Sequence, residues 1–180
     1  MIGLANGAAW PEGVDPVGSG DAEDIAALQE AVTAVCQALA KSIAWDGEGA
    51  TVLMEVVASG AASDADARAI AKSICGSSLV KSAVYGRDPN WGRIAAAAGY
   101  AGVEFDQNDL SVWLGDTQLM SRGQPLEFDE KAASKYMAEA GEEHGTVRIG
   151  VRVGDGDGAA KAWGCDLSYD YVKINAEYTT

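Results

Sequence analysis

The chain has 180 residues, of which 48% are hydrophobic and 22% charged, and 27 acidic against 13 basic side chains give a formal net charge of -14. That length suits one globular domain, or one domain with a smaller lobe, and the negative field disfavours nucleic acid and anionic membrane surfaces as partners. No apolar run approaches the roughly 20 residues of a membrane span, and no basic residues precede an apolar core at the start, so the composition reads as cytoplasmic without a signal peptide.

Met1 runs straight into IGLANGAAW, an apolar stretch with no polar lead, as if the chain entered partway along a strand. A Gly-, Pro- and Asp-rich loop follows, and Asp21 is a good N-cap with Glu23 and Asp24 in the first turn. Ile25, Leu28, Val32, Val35, Leu39 and Ile43 then recur at steps of three and four, which predicts the strongest helix of the chain, with Lys41 suited to its last turn. After a turn at Asp46 to Gly49, the apolar run from Ala50 to Ala58 predicts a strand covered on both faces. Ser63 and Asp66 resemble a capping box that opens a helix through Ala67, Ile70, Ala71 and Ile74, a strand-to-helix step of a layered α/β protein.

The middle is richer in strands. Leu110–Leu114 and Thr117–Ser121 flank Gly115-Asp116, a two-residue hairpin turn. Asp129 caps a helix whose apolar face holds Ala132, Ala133, Tyr136, Met137 and Ala140. Val147, Ile149, Val151 and Val153 alternate with Arg148, Gly150 and Arg152, the pattern of a half-buried strand, and GDGDG is expected to turn it back as a hairpin into Ala159–Cys165. Cys36, Cys75 and Cys165 are odd in number and lack a Cys-x-x-Cys spacing, so buried thiols are expected, not a disulfide or a metal site.

Few residues offer chemistry singly. His144, the only histidine, lies in the polar segment GEEHG and reads as a surface residue. GDGDG fails as a calcium loop, because counting from Asp155 puts Ala159, Ala160 and Asp166 where an oxygen donor, a Gly and a Glu belong. It fails as a phosphate loop because it opens no helix. DPNWGRI is more pointed: Pro89, Asn90 and Gly92 shape a loop carrying Arg93, which would meet either a substrate carboxylate or a structural acid. DGEGAT presents Glu48 on a Gly-flanked turn before a buried strand.

Together and in order, LANGAA, DGEGAT, DPNWGRI and the closing AWGCDLSYDYVKINAEYTT resemble the C-terminal part of the β chain of the ornithine acetyltransferase family, the arginine biosynthesis bifunctional proteins or glutamate N-acetyltransferases. The resemblance runs from about Leu4 to Thr180. It implies a precursor that cuts itself in two, with the new N-terminal threonine of the β chain as nucleophile. It implies transfer of acetyl from N-acetylornithine to glutamate through an acyl-threonine, with no metal or cofactor, and acetyl-CoA as a donor in some members. A threonine with a free α-amino group carries its own base, which suits a chain without a useful histidine.

The same resemblance assigns substrate contacts to Glu48, Asn175 and Thr180. Glu48 would hold an ammonium group, while the Asn175 amide and the Thr180 hydroxyl would orient the substrate. Trp163, Tyr169 and Tyr171 are expected to pack the tail and so to fix Asn175. Neither the nucleophile nor the cleavage motif is in these residues. Thr51 belongs to the Glu48 motif, has no free amine and is not a nucleophile, and Val52 stands where members often carry lysine.

The expected partners are therefore an α chain and the N-terminal part of a β chain, in a hetero-oligomer, and the isolated polypeptide is expected to be inactive. The alternative is a non-catalytic relic or binding module that keeps the fold. The expected architecture is α+β. Residues 1–75 and the tail, 161–180, belong to layered catalytic α/β structure that is incomplete here, and residues 76–160 form a smaller β-rich lobe.

Overall fold

A computed structural model describes residues 8, 11–13, 17–18 and 22–178. The expectations for a strand near Met1 and for Asp21 as a cap lie outside these residues. The chain divides into two compact units, Met1–Ser42 and Ile43–Thr180.

The first unit contains most of the helix α1 (Ala22–Trp45), with Glu23 and Asp24 in its first turn. The stripe of Ile25, Leu28, Val32, Val35 and Leu39 is exposed along it. The helix continues to Trp45, which leaves no basic residue in its last turn, Lys41 included. Cys36 lies on this helix and is exposed, contrary to the expectation of burial, because none of the residues of α1 is buried. Among the described residues, no helix is long and apolar enough to cross a membrane.

The second unit is built on one six-stranded mixed sheet, in the order β4-β3-β2-β5-β1-β6. Its strands are β1 (Leu53–Ala61), β2 (Ser111–Leu114), β3 (Thr117–Ser121), β4 (Gln124–Pro125), β5 (Thr146–Arg152) and β6 (Gly158–Cys165). The helices are α2 (Asp64–Gly76), α3 (Ser78–Tyr85), α4 (Trp91–Gly99), α5 (Glu130–Glu142) and α6 (Tyr169–Glu177). The α+β expectation holds. The strand-to-helix step from β1 to α2 is present, with Ser63 as N-cap accepting the Asp66 N–H. The β2–β3 hairpin turns at Gly115, and Asp129 caps α5.

One face of the sheet forms the core. Register aligns Met54, Val56 and Ala58 of β1 with Val147, Ile149 and Val151 of β5, and all six are buried together with Ile70 and Ile74 of α2. The strand expected over Ala50–Ala58 begins instead at Leu53, because Ala50 to Val52 form a tether described below. It is also not covered equally on both faces: Glu55, Val57 and Ser59 point away from the core and are only half-buried. On that outer face Trp163 Nε1 donates to Glu55 Oε2 at 2.9 Å and Arg148 Nε lies 3.7 Å from Glu55 Oε1.

GDGDG does not close a hairpin. β5 pairs with β1 in parallel and β6 pairs with β1 antiparallel, so β1 lies between the two strands that GDGDG joins. The segment must cross the end of β1, and a Cβ at Gly156 would stand 2.1 Å from the Ala61 carbonyl oxygen. The glycines are there because backbone meets backbone at the crossing. A local reading of turn residues cannot show that a third strand is inserted between the two.

Candidate functional site

The segment around Glu48 is a tight turn, closed by the Ala50 N–H donating to the Gly47 carbonyl at 2.9 Å. Two buried residues of the closing motif hold it. Asp166 accepts from the Thr51 N–H at 2.8 Å, the Thr51 hydroxyl at 2.5 Å and the Val52 N–H at 3.3 Å. A buried carboxylate with three donors is a satisfied anchor, and the Thr51 hydroxyl proton is engaged there. Ser168 donates to the Gly49 carbonyl at 2.5 Å and accepts the Tyr171 N–H at 3.1 Å, so the N-cap of α6 is also a clamp on the turn.

Gly49 closes the fit. Its φ is +66°, and a Cβ there would approach the Tyr171 nitrogen to 2.7 Å. With the turn pressed against the first turn of α6, Asn175, one helical turn after Tyr171, reaches Glu48. Asn175 Nδ2 donates to Glu48 Oε2 at 2.6 Å and to the Tyr171 carbonyl at 2.9 Å. Both neighbours are acceptors, so the amide must present its NH2 to them and turn its carbonyl away. Glu48 Oε1 and Asn175 Oδ1 are left as two acceptors on an exposed surface, an arrangement that suits an ammonium donor.

The sequence reading placed Glu48 and Asn175 in one site, and the fold brings them into contact. Thr180 lies outside the described residues. Arg93 is elsewhere: it lies in the first turn of α4, and its Nη1 donates to the Leu79 carbonyl at 3.0 Å, so it ties α4 to α3 and pairs with no acid among the described residues. DPNWGRI is accordingly a helix start and not a loop around Arg93, with Asn90 as N-cap accepting the Arg93 N–H at 3.1 Å. The tyrosines expected to pack the tail are exposed, Tyr169 at 78% and Tyr171 at 42%. What fixes Asn175 is the polar clamp of Ser168 and the Tyr171 carbonyl, not aromatic burial.

His144 is likewise not a bare surface residue. It is half-buried, its ring centroid 4.6 Å from that of Trp45, and its carbonyl accepts the Trp45 Nε1–H at 3.0 Å. Among the described residues, no group of three or more His, Cys, Asp or Glu side chains is placed to hold a metal ion. A cavity of about 430 Å³ lies beside the Thr51 tether, lined in part by Tyr85 and Arg87. The sequence reading missed Asp166 and Ser168, although a serine immediately before a helix is an N-cap signature that could have found the second.

The ArgJ family model matches residues 1–180. An arginine biosynthesis bifunctional protein ArgJ from Ricinus communis, named chloroplastic, is 62% identical over 180 residues, covering 100% of this chain and 38% of the relative. ArgJ 1 of Nostoc sp. is 58% identical over 184 residues, covering 100% of this chain and 44% of that protein. The chain thus spans less than half the length of these relatives. The crystal structure of arginine biosynthesis bifunctional protein argJ from Bacillus halodurans superposes with a TM-score of 0.83 at 45% identity, covering 91% of this chain and 75% of that one.

The cytoplasmic reading is overturned by these relatives. Those from Ricinus communis, Populus trichocarpa and Physcomitrium patens are named chloroplastic. Transit peptides are separate segments read by a receptor, so the composition of a folded domain carries no address. On the family match over its whole length and on the solved relative that shares its fold, this chain belongs to the ArgJ family.

Proposed function

We propose that this chain is the substrate-holding C-terminal segment of an acetyltransferase of arginine biosynthesis. In this reading a threonine hydroxyl on another segment attacks the acetyl carbonyl carbon of N-acetylornithine. The carbon–nitrogen bond breaks, ornithine leaves with the proton, and the acetyl group rests as an ester on the threonine. The glutamate amine then attacks that ester, N-acetylglutamate departs and the hydroxyl is restored. No metal or bound cofactor enters these steps, and acetyl-CoA is a possible alternative donor.

The observation that carries the reading is the contact between Glu48 and Asn175, 127 residues apart in sequence and 2.6 Å apart in space. It supports a role in holding and orienting the ammonium end of ornithine while the acetylated nitrogen meets the nucleophile. The family resemblance assigns a further substrate contact to the Thr180 hydroxyl. The α chain and the N-terminal part of a β chain, released by self-cleavage, supply the nucleophile and the groups that stabilise the oxyanion. Alone, this polypeptide is inactive.

The test is to co-express the chain with the upstream part of a family member that ends in the catalytic-threonine segment, and to assay acetyl transfer from N-acetylornithine to glutamate. Activity is expected in the complex, and Glu48→Ala should lower kcat/KM by roughly 30-fold, about 2 kcal/mol, the worth of a hydrogen bond to a charged group. A stable complex without activity would mean that this segment keeps the fold as a non-catalytic module. Activity of the purified chain alone would refute the division of labour.

A further inference from the structure

Arg87 occupies a backbone conformation that L-residues seldom take. Its φ is +59°, and it follows the last turn of α3 in the place where helices commonly use glycine. The Arg87 N–H donates to the Val84 carbonyl at 3.1 Å and the Asp88 N–H to the Ala83 carbonyl at 2.9 Å, the two bonds of a Schellman ending. A glycine is present one position earlier, at Gly86, where the backbone is ordinary right-handed helix with φ -74° and requires none. Strain of this kind persists where a side chain is wanted at the strained position.

The Arg87 side chain is not used to hold the fold. The ion pairs among the described residues join Lys135 to Glu139, Arg148 to Glu55 and Arg152 to Asp155. Arg93 donates to a backbone carbonyl, whereas the Arg87 guanidinium has no hydrogen-bond or ion-pair partner among the described residues. It lines the cavity of about 430 Å³ beside the Thr51 tether, together with Val52, Val84 and Met137, which are apolar and buried, and with Tyr85 and Thr51. On its other side Arg87 borders a groove with Lys131 and Lys135, opposed there by Asp88 and Glu130.

The cavity walls are already fixed. Thr51 is held by Asp166, and its oxygen, having donated its proton, can still accept. The ring of Tyr85 packs edge-on against Tyr169 at 5.5 Å between centroids. The volume falls within the range of roughly 300–1,000 Å³ for small-molecule sites, and the lining joins the polar groups of Arg87, Tyr85 and Thr51 to apolar side chains. We propose that this cavity is a binding site for a small aliphatic carboxylate, with Arg87 pairing to the carboxylate and Val52, Val84 and Met137 receiving the chain. The proposal does not depend on the acyl-transfer reading.

The experiment is calorimetric titration of the full chain with valerate, with valeramide as the uncharged match and inorganic phosphate as an anion without an aliphatic body. Saturable valerate binding is expected, at least about 10-fold tighter than either control. Arg87→Gly should weaken it about 10-fold or more without lowering the melting temperature, because glycine relieves the strained backbone. Glu48→Gln should leave it unchanged, which separates this site from the proposed substrate site. Methyl resonances of Met137 and Val84 should shift on titration. Absence of saturable valerate binding by the wild-type chain up to about 50 mM, equal affinity in Arg87→Gly, or methyl shifts confined to other residues would each overturn the proposal.

Discussion

Burial sets the chemistry of Cys75 more than any neighbouring charge does. Enclosure pushes its thiol up from 9.0 to about 12, against the smaller opposing pull of Lys81 and of a backbone group of Val56. The folded thiol therefore stays protonated where the unfolded thiol has ionised, and the folded state holds more protons between pH 9 and 12. Stability from this residue is fully present below pH 9 and falls as pH rises through that window, by up to ~1.4 kcal/mol per pH unit. Denaturant midpoints measured across this range should fall more steeply for the wild-type chain than for Cys75→Ala, and parallel curves would show that the thiol does not titrate as described. For the same reason Cys75 is a poor nucleophile at neutral pH, in keeping with the sequence-based reading of a buried thiol.

The turn and the helix α6 behave as one element. Gly49 has a positive φ and stands against the Tyr171 backbone, so Gly49→Ala meets both a strained conformation and a backbone atom that cannot swing aside. A cost of about 2–3 kcal/mol is expected, together with release of α6. Limited proteolysis should then cut near Tyr169 in the variant and not in the wild-type chain; unchanged cleavage would mean that the clamp through Ser168 and Asp166 holds the helix unaided.

Elements with a strong local pattern were legible in the sequence: α1 from its spacing, α2 and α5 from their caps, the β2–β3 hairpin from Gly115-Asp116, and β5 from its alternation. The pair Glu48 and Asn175 was legible only through family resemblance, because nothing local in either segment announces the other. The short α3 and α4 were unread; α4 begins within DPNWGRI, where Pro89 and Gly92 look like loop residues although Asn90 is a cap. The crossing of GDGDG over β1 was unread because pairing across the sheet is set by partners far away in sequence.

At the scale of the whole molecule, two helices carry several of the exposed apolar residues. Leu28, Val35 and Leu39 lie on α1, and Tyr169, Val172 and Ile174 on α6. An exposed apolar stripe along a helix marks an interaction face of that helix. An apolar fluorescent dye should bind the isolated chain and be displaced in the co-expressed complex; a chain that does not enhance dye fluorescence would count against an uncovered face. The placement of β1 between β5 and β6 has a consequence for synthesis. Both strands that flank it are made late, so while the chain emerges from a ribosome the apolar run of β1 has two bare edges and no strand to pair with. Long-range pairing of this sort slows folding and lengthens the time during which an unpaired edge can join another chain. A polypeptide stopped after Glu142 would retain β2 and β3 as a hairpin and leave β1 with neither neighbour.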